Sequence, residues 1–301
     1  MNPRGYEPVP GLTGARLAIT GAAGFVGSHL CALLRASGAD VIGIDRVPGA
    51  ALTADLMDPA SRDEIYDAIH TADGLIHLAA SGARTDMVGA LAVAMGALRP
   101  DVPVVVTSCS SVYGSSILES DGRWRGSRED DPVRPLGSHG RSHVLIERLS
   151  TRRRLYGNRV ALIRPFTIAG EGQPESAAIA RWISAASRGE VLELPGGPER
   201  VRDVVDVVDA VRAIAVAWRE EIDGIVNVGT GRPVRVEQVI EAIAAEFGPV
   251  DHVRVPASKA TPLATCASVE RMSEWLGFVG ETDLGALIRR QIRAVRSEAA
   301  A

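Results

Sequence analysis

The sequence predicts an α/β protein, a doubly wound parallel sheet with a second, smaller unit attached. Three observations carry that expectation. Short β-branched runs alternate with longer amphipathic stretches through the first two-thirds of the chain. The runs are too apolar for burial on one face, which points to parallel strands covered on both sides. A glycine-rich turn joins the first run to the stretch that follows it.

Residues 16–20 read as a strand, 25–36 as a helix and 41–45 as a second strand, with further strands at 75–79, 102–108 and 160–164. Between them, Ser61-Arg-Asp-Glu64 has the capping-box spacing that opens a helix, 86–98 forms another, and 138–156 is the longest. After Pro165 the pattern loosens into a turn at 170–174, a helix near 177–187 and a Pro-Gly-Gly-Pro loop at 195–198. Sheet-and-helix patterning returns at 204–218 and 225–228, followed by two or three helices and a short strand near Val253. This divides the chain into a first domain of residues 12–166 plus 201–229 and a smaller one of 167–200 plus 230–301.

Composition bounds the function. With 301 residues, 46% hydrophobic, 23% charged and a net charge of -4, the chain fits an enzyme-sized globule and gives no electrostatic reason to expect a nucleic acid. Three scattered cysteines, Cys31, Cys109 and Cys266, fit neither a disulfide framework nor a zinc-ligand spacing, so a reducing cytoplasm is the expected location. No run reaches the ~18 apolar residues of a membrane helix. All but one of the 33 basic residues are arginine, the exception being Lys259.

Gly21, Gly24 and Gly27 recur at three-residue intervals directly after a strand and at the opening of a helix. Glycine is needed there for a tight turn, for close approach of backbone to a pyrophosphate, and for packing of helix on strand. The helix N-terminus supplies free N–H groups for the anion. Asp45, at the end of the second strand, is placed to accept hydrogen bonds from the adenosine ribose, while Arg46 permits a 2′-phosphate. The cofactor is therefore NADP or NAD.

With Gly21-Ala-Ala-Gly-Phe-Val-Gly27, Asp55-Leu56, His77-Leu-Ala-Ala80, Ser111-Val-Tyr-Gly114, Arg164-Pro-Phe166 and Asn227-Val-Gly-Thr-Gly231 in this order, the chain resembles the extended short-chain dehydrogenase/reductases of NAD-dependent epimerase/dehydratase type. The resemblance implies a Rossmann sheet of strand order 3-2-1-4-5-6 and a small substrate domain. It also implies cofactor contacts from Ala23, Phe25 and Val26 in the turn, Asp55 and Leu56 beside the adenine, Leu78, Ala79 and Ala80 along the cofactor, Thr107, and Pro165 near the nicotinamide.

The same resemblance exposes a departure. The family carries Ser or Thr four residues before the Tyr of Val-Tyr-Gly and a Tyr-x-x-x-Lys pair on the long helix; here those positions hold Cys109, His139 and His143. The chemistry needs a group there, because hydride delivered to a carbonyl leaves an alkoxide that must be stabilised and protonated, and a positioned acid contributes ~10² to 10⁴-fold. His139 as imidazolium donor with His143 on the ribose is one reading. A second has the histidines only shaping the pocket while water or substrate supplies the proton. A third, metal binding by His139, His143 and Glu147 spaced four apart, is set aside because the family carries Glu there without metal, so no metal is expected.

The resemblance places a diphosphate-binding Arg near Arg202 and a second in a late motif replaced here by Lys259-Ala-Thr-Pro-Leu-Ala264, so half of that clamp is missing. Ser81, Ser110, Tyr113, Phe166 and Trp182 are the expected substrate contacts, and Phe166, Trp182, Ile179 and Leu194 suit an apolar substrate. The leading expectation is an NAD(P)H-dependent ketoreductase for a polycyclic aromatic, polyketide-type ketone, similar to the atypical ketoreductases of angucyclinone antibiotic biosynthesis. The alternatives are a nucleotide-sugar epimerase or dehydratase and a non-catalytic NAD(P)-binding protein. A small-molecule ketone, no nucleic acid, no membrane, and a monomer or homodimer complete the expectation.

Overall fold

The computed structural model describes residues 6–79 and 84–299, and the side chains of 84–85 and 296–299 are left aside. Ala80 and Ser81 therefore lie outside the described residues. The first half alternates β1 (Arg16–Thr20), α1 (Phe25–Ala36), β2 (Asp40–Asp45), β3 (Leu52–Thr53), α2 (Arg62–His70), β4 (Gly74–His77), α3 (Arg84–Gly96) and β5 (Val104–Thr107). It continues with α4 (Ser138–Arg152), β6 (Val160–Pro165), α5 (Ala178–Ser187), α6 (Val207–Arg219) and β7 (Gly224–Val228), then α7 (Val236–Phe247), α8 (Glu270–Leu276) and α9 (Leu284–Ala299).

The seven strands form one parallel sheet in the order β3-β2-β1-β4-β5-β6-β7, the predicted order extended by one strand. Successive strand side chains point to opposite faces. Thus Leu17 and Ile19 join Ile76, Val105 and Ile163 under α1 and α6, where Leu30, Leu34, Ala213 and Ile214 pack. Ala18, Leu75, Val104, Val106 and Leu162 pack on the other face against Ile65 and Ile69 of α2, Leu91 and Met95 of α3 and Ile146 of α4. Two-sided burial explains the near-continuous apolar runs.

A third apolar cluster stands apart, built from Ile179, Trp182 and Ile183 of α5, Leu192 and Leu194, Val239, Ile240 and Ile243 of α7, and Leu287, Ile288 and Ile292 of α9. Residues Leu192–Pro195 pair in parallel with His252–Val255, the strand expected near Val253.

Two local expectations change. Ser61 makes no capping hydrogen bond, because the chain enters α2 through a 3-10 turn that already puts Ser61 at φ -86°, ψ -2°, and Asp58 caps that turn by accepting from Ala60 N–H at 2.9 Å. The long helix ends at Arg152, and residues Arg153–Tyr156 tighten into a 3-10 turn closed by Gly157 at φ +82°.

His77 ends β4 opposite Thr20, 1% exposed, with its Nδ1 2.8 Å from the Thr20 hydroxyl. Burial pulls its pKa down to about 4. A folded pKa below the unfolded value means that its contribution is complete above about pH 6.5 and is lost as pH falls toward 4, by roughly 3 kcal/mol. Urea unfolding of wild type and His77→Gln across that window should therefore show a steeper acid loss in wild type. Parallel pH profiles would contradict the assignment.

Candidate active site

The cofactor cradle is set by backbone approach. Gly21 lies at φ +74°, and a Cβ there would fall 2.8 Å from the Ala79 nitrogen; a Cβ at Gly27 would fall 2.0 Å from the Gly21 oxygen. The α1 N-terminus has neither a side-chain cap nor an acidic residue in its first turn, so its leading N–H groups remain available to an anion. Asp45 secures the turn by accepting from Ala23 N–H at 2.9 Å and Val47 N–H at 3.1 Å, and its oxygens keep lone pairs for hydroxyls.

These groups border a cavity of about 560 Å³. Of the expected contacts, Gly21, Ala23, Gly24, Phe25, Val26, Gly27, Asp45, Arg46, Asp55, Leu56, Leu78 and Ala79 line it, joined by the unanticipated Met57, Asp86 and Ala90. Thr107 and Pro165 end the adjacent strands β5 and β6 outside that lining, and the buried Thr107 hydroxyl has no partner among the described residues. Ligands of open α/β sheets bind in the crevice beyond such strand ends.

Beyond β5 the chain turns at Cys109, whose Sγ accepts from Ser111 N–H at 3.4 Å. His139 and His143, one turn apart on α4, meet it there: one donor atom from each of the three lies within 4.8 Å of the others, and the imidazole centroids are 4.6 Å apart. Burial pushes the Cys109 thiol up, but hydrogen bonds from His139 and Ser111 outweigh it and leave the thiol below its ordinary value. The bond to Cys109 holds His139 above its ordinary value. His143, 3% exposed, is pulled down to about 4 by burial and by the neighbouring imidazole. The three positions singled out by sequence thus converge, and Ser110 is buried beside them in the same turn.

Glu147, the third member of the four-residue series, points elsewhere. It takes a bidentate pair from Arg164 at 2.8 Å on both oxygens and a hydrogen bond from Ser108 at 2.6 Å. Tyr113 is spoken for by the same network: its hydroxyl donates to Asn227 Oδ1 at 2.7 Å, accepts from Arg164 at 2.6 Å, and is pushed up to about 12 by burial. Tyr6 bonds His29, Tyr66 stacks on His70, and Tyr156 lies under Arg153. None of these phenols joins the Cys109 cluster.

Sequence reasoning missed Arg200. Its guanidinium donates to the carbonyls of Thr261 and Pro262, and that of Arg202 to Val201, Pro262 and Leu263. Among the described residues no carboxylate forms an ion pair with either. Burial, reinforced by the charge of Arg200, lowers Arg202 to about 10. The 261–263 segment holding both also bonds Ser115 through Leu263 N–H at 2.9 Å, and Ala260 abuts Gly137 at the start of α4. The arginine pair is therefore tied to the two segments that carry the Cys109 cluster, whereas Lys259 is exposed.

The aromatic residues expected at a substrate are packing residues here. Trp182 sits in the third cluster with its indole N–H on Glu193 O at 2.8 Å, alongside Ile179 and Leu194, and Phe166 stacks on Tyr113 with centroids 6.3 Å apart.

Residues 17–229 match the NAD dependent epimerase/dehydratase family, and the chain belongs to it. The chain is 28% identical to the dTDP-6-deoxy-L-talose 4-dehydrogenase (NAD(P)(+)) of Kitasatospora kifunensis, over 94% of each. It is 29% identical to the UDP-N-acetyl-alpha-D-glucosaminuronate decarboxylase of Bacillus cytotoxicus, over 82% of this chain and 85% of the relative. The solved structure of MoeE5 in complex with UDP-glucose and NAD superposes with a TM-score of 0.82 at 30% identity, covering 95% of this chain and all of that one. These relatives are named for nucleotide sugars over nearly their whole length. They overturn the expected ketoreductase for an apolar polyketide-type ketone, and with it the likeness to angucyclinone ketoreductases; the burial of Trp182, Ile179 and Leu194 removes the physical basis of that expectation.

A Cβ at Gly24 would meet the Gly21 oxygen at 3.3 Å, a tight contact with the turn backbone, and Gly24→Val should fill the space above the α1 N-terminus. Its circular dichroism should match wild type and its affinity for NAD should fall about tenfold or more, read by fluorescence titration. Unchanged affinity would move the pyrophosphate elsewhere.

Proposed function

We propose that this protein is an NAD-dependent enzyme acting on a nucleotide-diphosphate sugar, exchanging hydride with a ring carbon bearing an oxygen. The observation that carries the reading is the Arg200–Arg202 pair: two adjacent guanidiniums that, among the described residues, hydrogen-bond to backbone carbonyls and form no ion pair can take an anion, and a diphosphate supplies one with oxygens suited to forked donors. Arg200 stands in for the cation absent from the late motif.

In this reading the pyrophosphate of NAD lies over Gly21, Gly24 and the α1 N-terminus, and Asp45 accepts from the adenosine ribose, which favours NAD over NADP. Asp55 and Leu56 flank the adenine, Leu78 and Ala79 line the cofactor, and Thr107 and Pro165 border the nicotinamide. Cys109, His139 and His143 meet the oxygen of the reacting carbon. The proposed substrate domain, residues 167–200 plus 230–301, draws support from the separate apolar cluster of α5, α7 and α9.

Incubation with NAD and a panel of UDP- and dTDP-hexoses tests the reading. An epimerase or dehydratase converts one of them without net NADH, whereas a sugar dehydrogenase releases NADH in proportion to product. Failure to bind or convert any of the panel would overturn the nucleotide-sugar assignment. With the substrate in hand, Arg202→Ala should raise KM about tenfold or more and leave NAD affinity intact, as expected for losing a charged hydrogen bond. His139→Phe should lower kcat about tenfold or more with NAD affinity preserved, and an unchanged kcat would remove His139 from the reacting oxygen.

A further inference from the structure

We propose that Cys109, His139 and His143 form a binding site for a divalent transition-metal cation, zinc by donor type, with a fourth coordination position open. Among the described residues this is the one place where three such donors come together. A thiolate with two imidazoles is the borderline-soft set that zinc takes, whereas calcium and magnesium require oxygen.

The geometry needs little adjustment. A tetrahedral zinc, roughly 2.3 Å from sulfur and roughly 2.0–2.1 Å from nitrogen, sets its donors roughly 3.5 Å apart. The three donor atoms already lie within 4.8 Å of one another, and rotation of the half-buried Cys109 and the exposed His139 closes the difference. His139 and His143 are spaced four apart, the interval that puts two side chains on one helix face.

One buried group points to a missing ligand. Among the described residues the Nδ1 of His143 has no hydrogen-bond partner although the residue is only 3% exposed, an arrangement that native interiors avoid unless something binds there. The Ser111 N–H that caps the 110–112 turn through Cys109 Sγ is compatible with a metal-bound thiolate, which takes such contacts from its surroundings. Glu147 cannot complete the set, since Arg164 and Ser108 occupy its oxygens. Three protein donors and an open position are the pattern of reactive zinc sites, while structural sites are closed by four.

The consequence for catalysis rests on the nucleotide-sugar reading. The cation would hold the oxygen of the substrate carbinol as an alkoxide, its proton leaving to solvent. The carbinol C–H then breaks, passing hydride to NAD as the carbonyl forms, so sugar oxidation and NAD reduction balance as one electron pair. This is how the site would do without a phenol.

The test uses untagged full-length protein, stripped with a chelator and dialysed, and titrated with cobalt(II) alone. A single equivalent should bind with a thiolate-to-cobalt charge-transfer band, be displaced by zinc, and disappear in Cys109→Ser and His143→Gln while persisting in Cys266→Ser. Circular dichroism and urea-unfolding midpoints matching wild type would show that the variants fold. Absence of saturable binding, or a band that survives Cys109→Ser, would overturn the proposal. Because the titration contains neither NAD nor sugar, its failure leaves the nucleotide-sugar assignment standing, and failure of the sugar panel leaves the metal site standing.

Discussion

The Arg164–Glu147 ion pair fixes how the long helix α4 meets the sheet. Both side chains are nearly withdrawn from water, and the pair is tolerable only because every strong group on it is matched: two parallel contacts between guanidinium and carboxylate, Ser108 on the carboxylate, and Tyr113 and Glu129 O on the guanidinium. Removing one partner from such a pair typically costs about 3–5 kcal/mol, because a charge is stranded. Arg164 belongs to β6 and Glu147 to α4, so the pair clamps the long helix to the sheet at one register. His143 and His139 lie one and two turns before Glu147, and that register delivers them to Cys109 at the end of β5.

The same clamp explains what Tyr113 does. Its hydroxyl sits between Arg164 and Asn227, and its ring faces both the guanidinium and Phe166. It is a structural member of the network that aligns β6, β7 and α4. The cradle for the cofactor is built on different terms, by glycine backbone approach and an uncapped helix end that require nothing of α4. Binding of a dinucleotide and handling of the reacting oxygen are therefore separable. In the proposed reading, that separation lets the positions facing the reacting oxygen carry histidine and cysteine without disturbing the sheet that holds the nucleotide.

Twelve of the residues expected at the cofactor line one cavity, and that grouping was legible because each meets a local requirement: a glycine where Cβ does not fit, an acid at a strand end, a small side chain at the cavity wall. The convergence of Cys109, His139 and His143 was legible through motif position. The role of Trp182 was misread because an indole at a substrate and an indole in a core are indistinguishable without knowing which side of α5 is covered. Arg200 was invisible for the converse reason. One more arginine in an arginine-rich chain carries no signal until the 261–263 carbonyls gather it beside Arg202.

Periodicity and glycine spacing sufficed to read the sheet and the nucleotide-binding turn, since both follow from interactions within a few tens of residues. Whether Glu147 was a free ligand or half of an ion pair, and whether a distant cysteine stood beside two histidines, depended on packing between β5, β6 and α4. Those contacts join side chains on different elements, Glu147 to Arg164 across 17 positions and to Ser108 across 39, and no pattern within a single element encodes them.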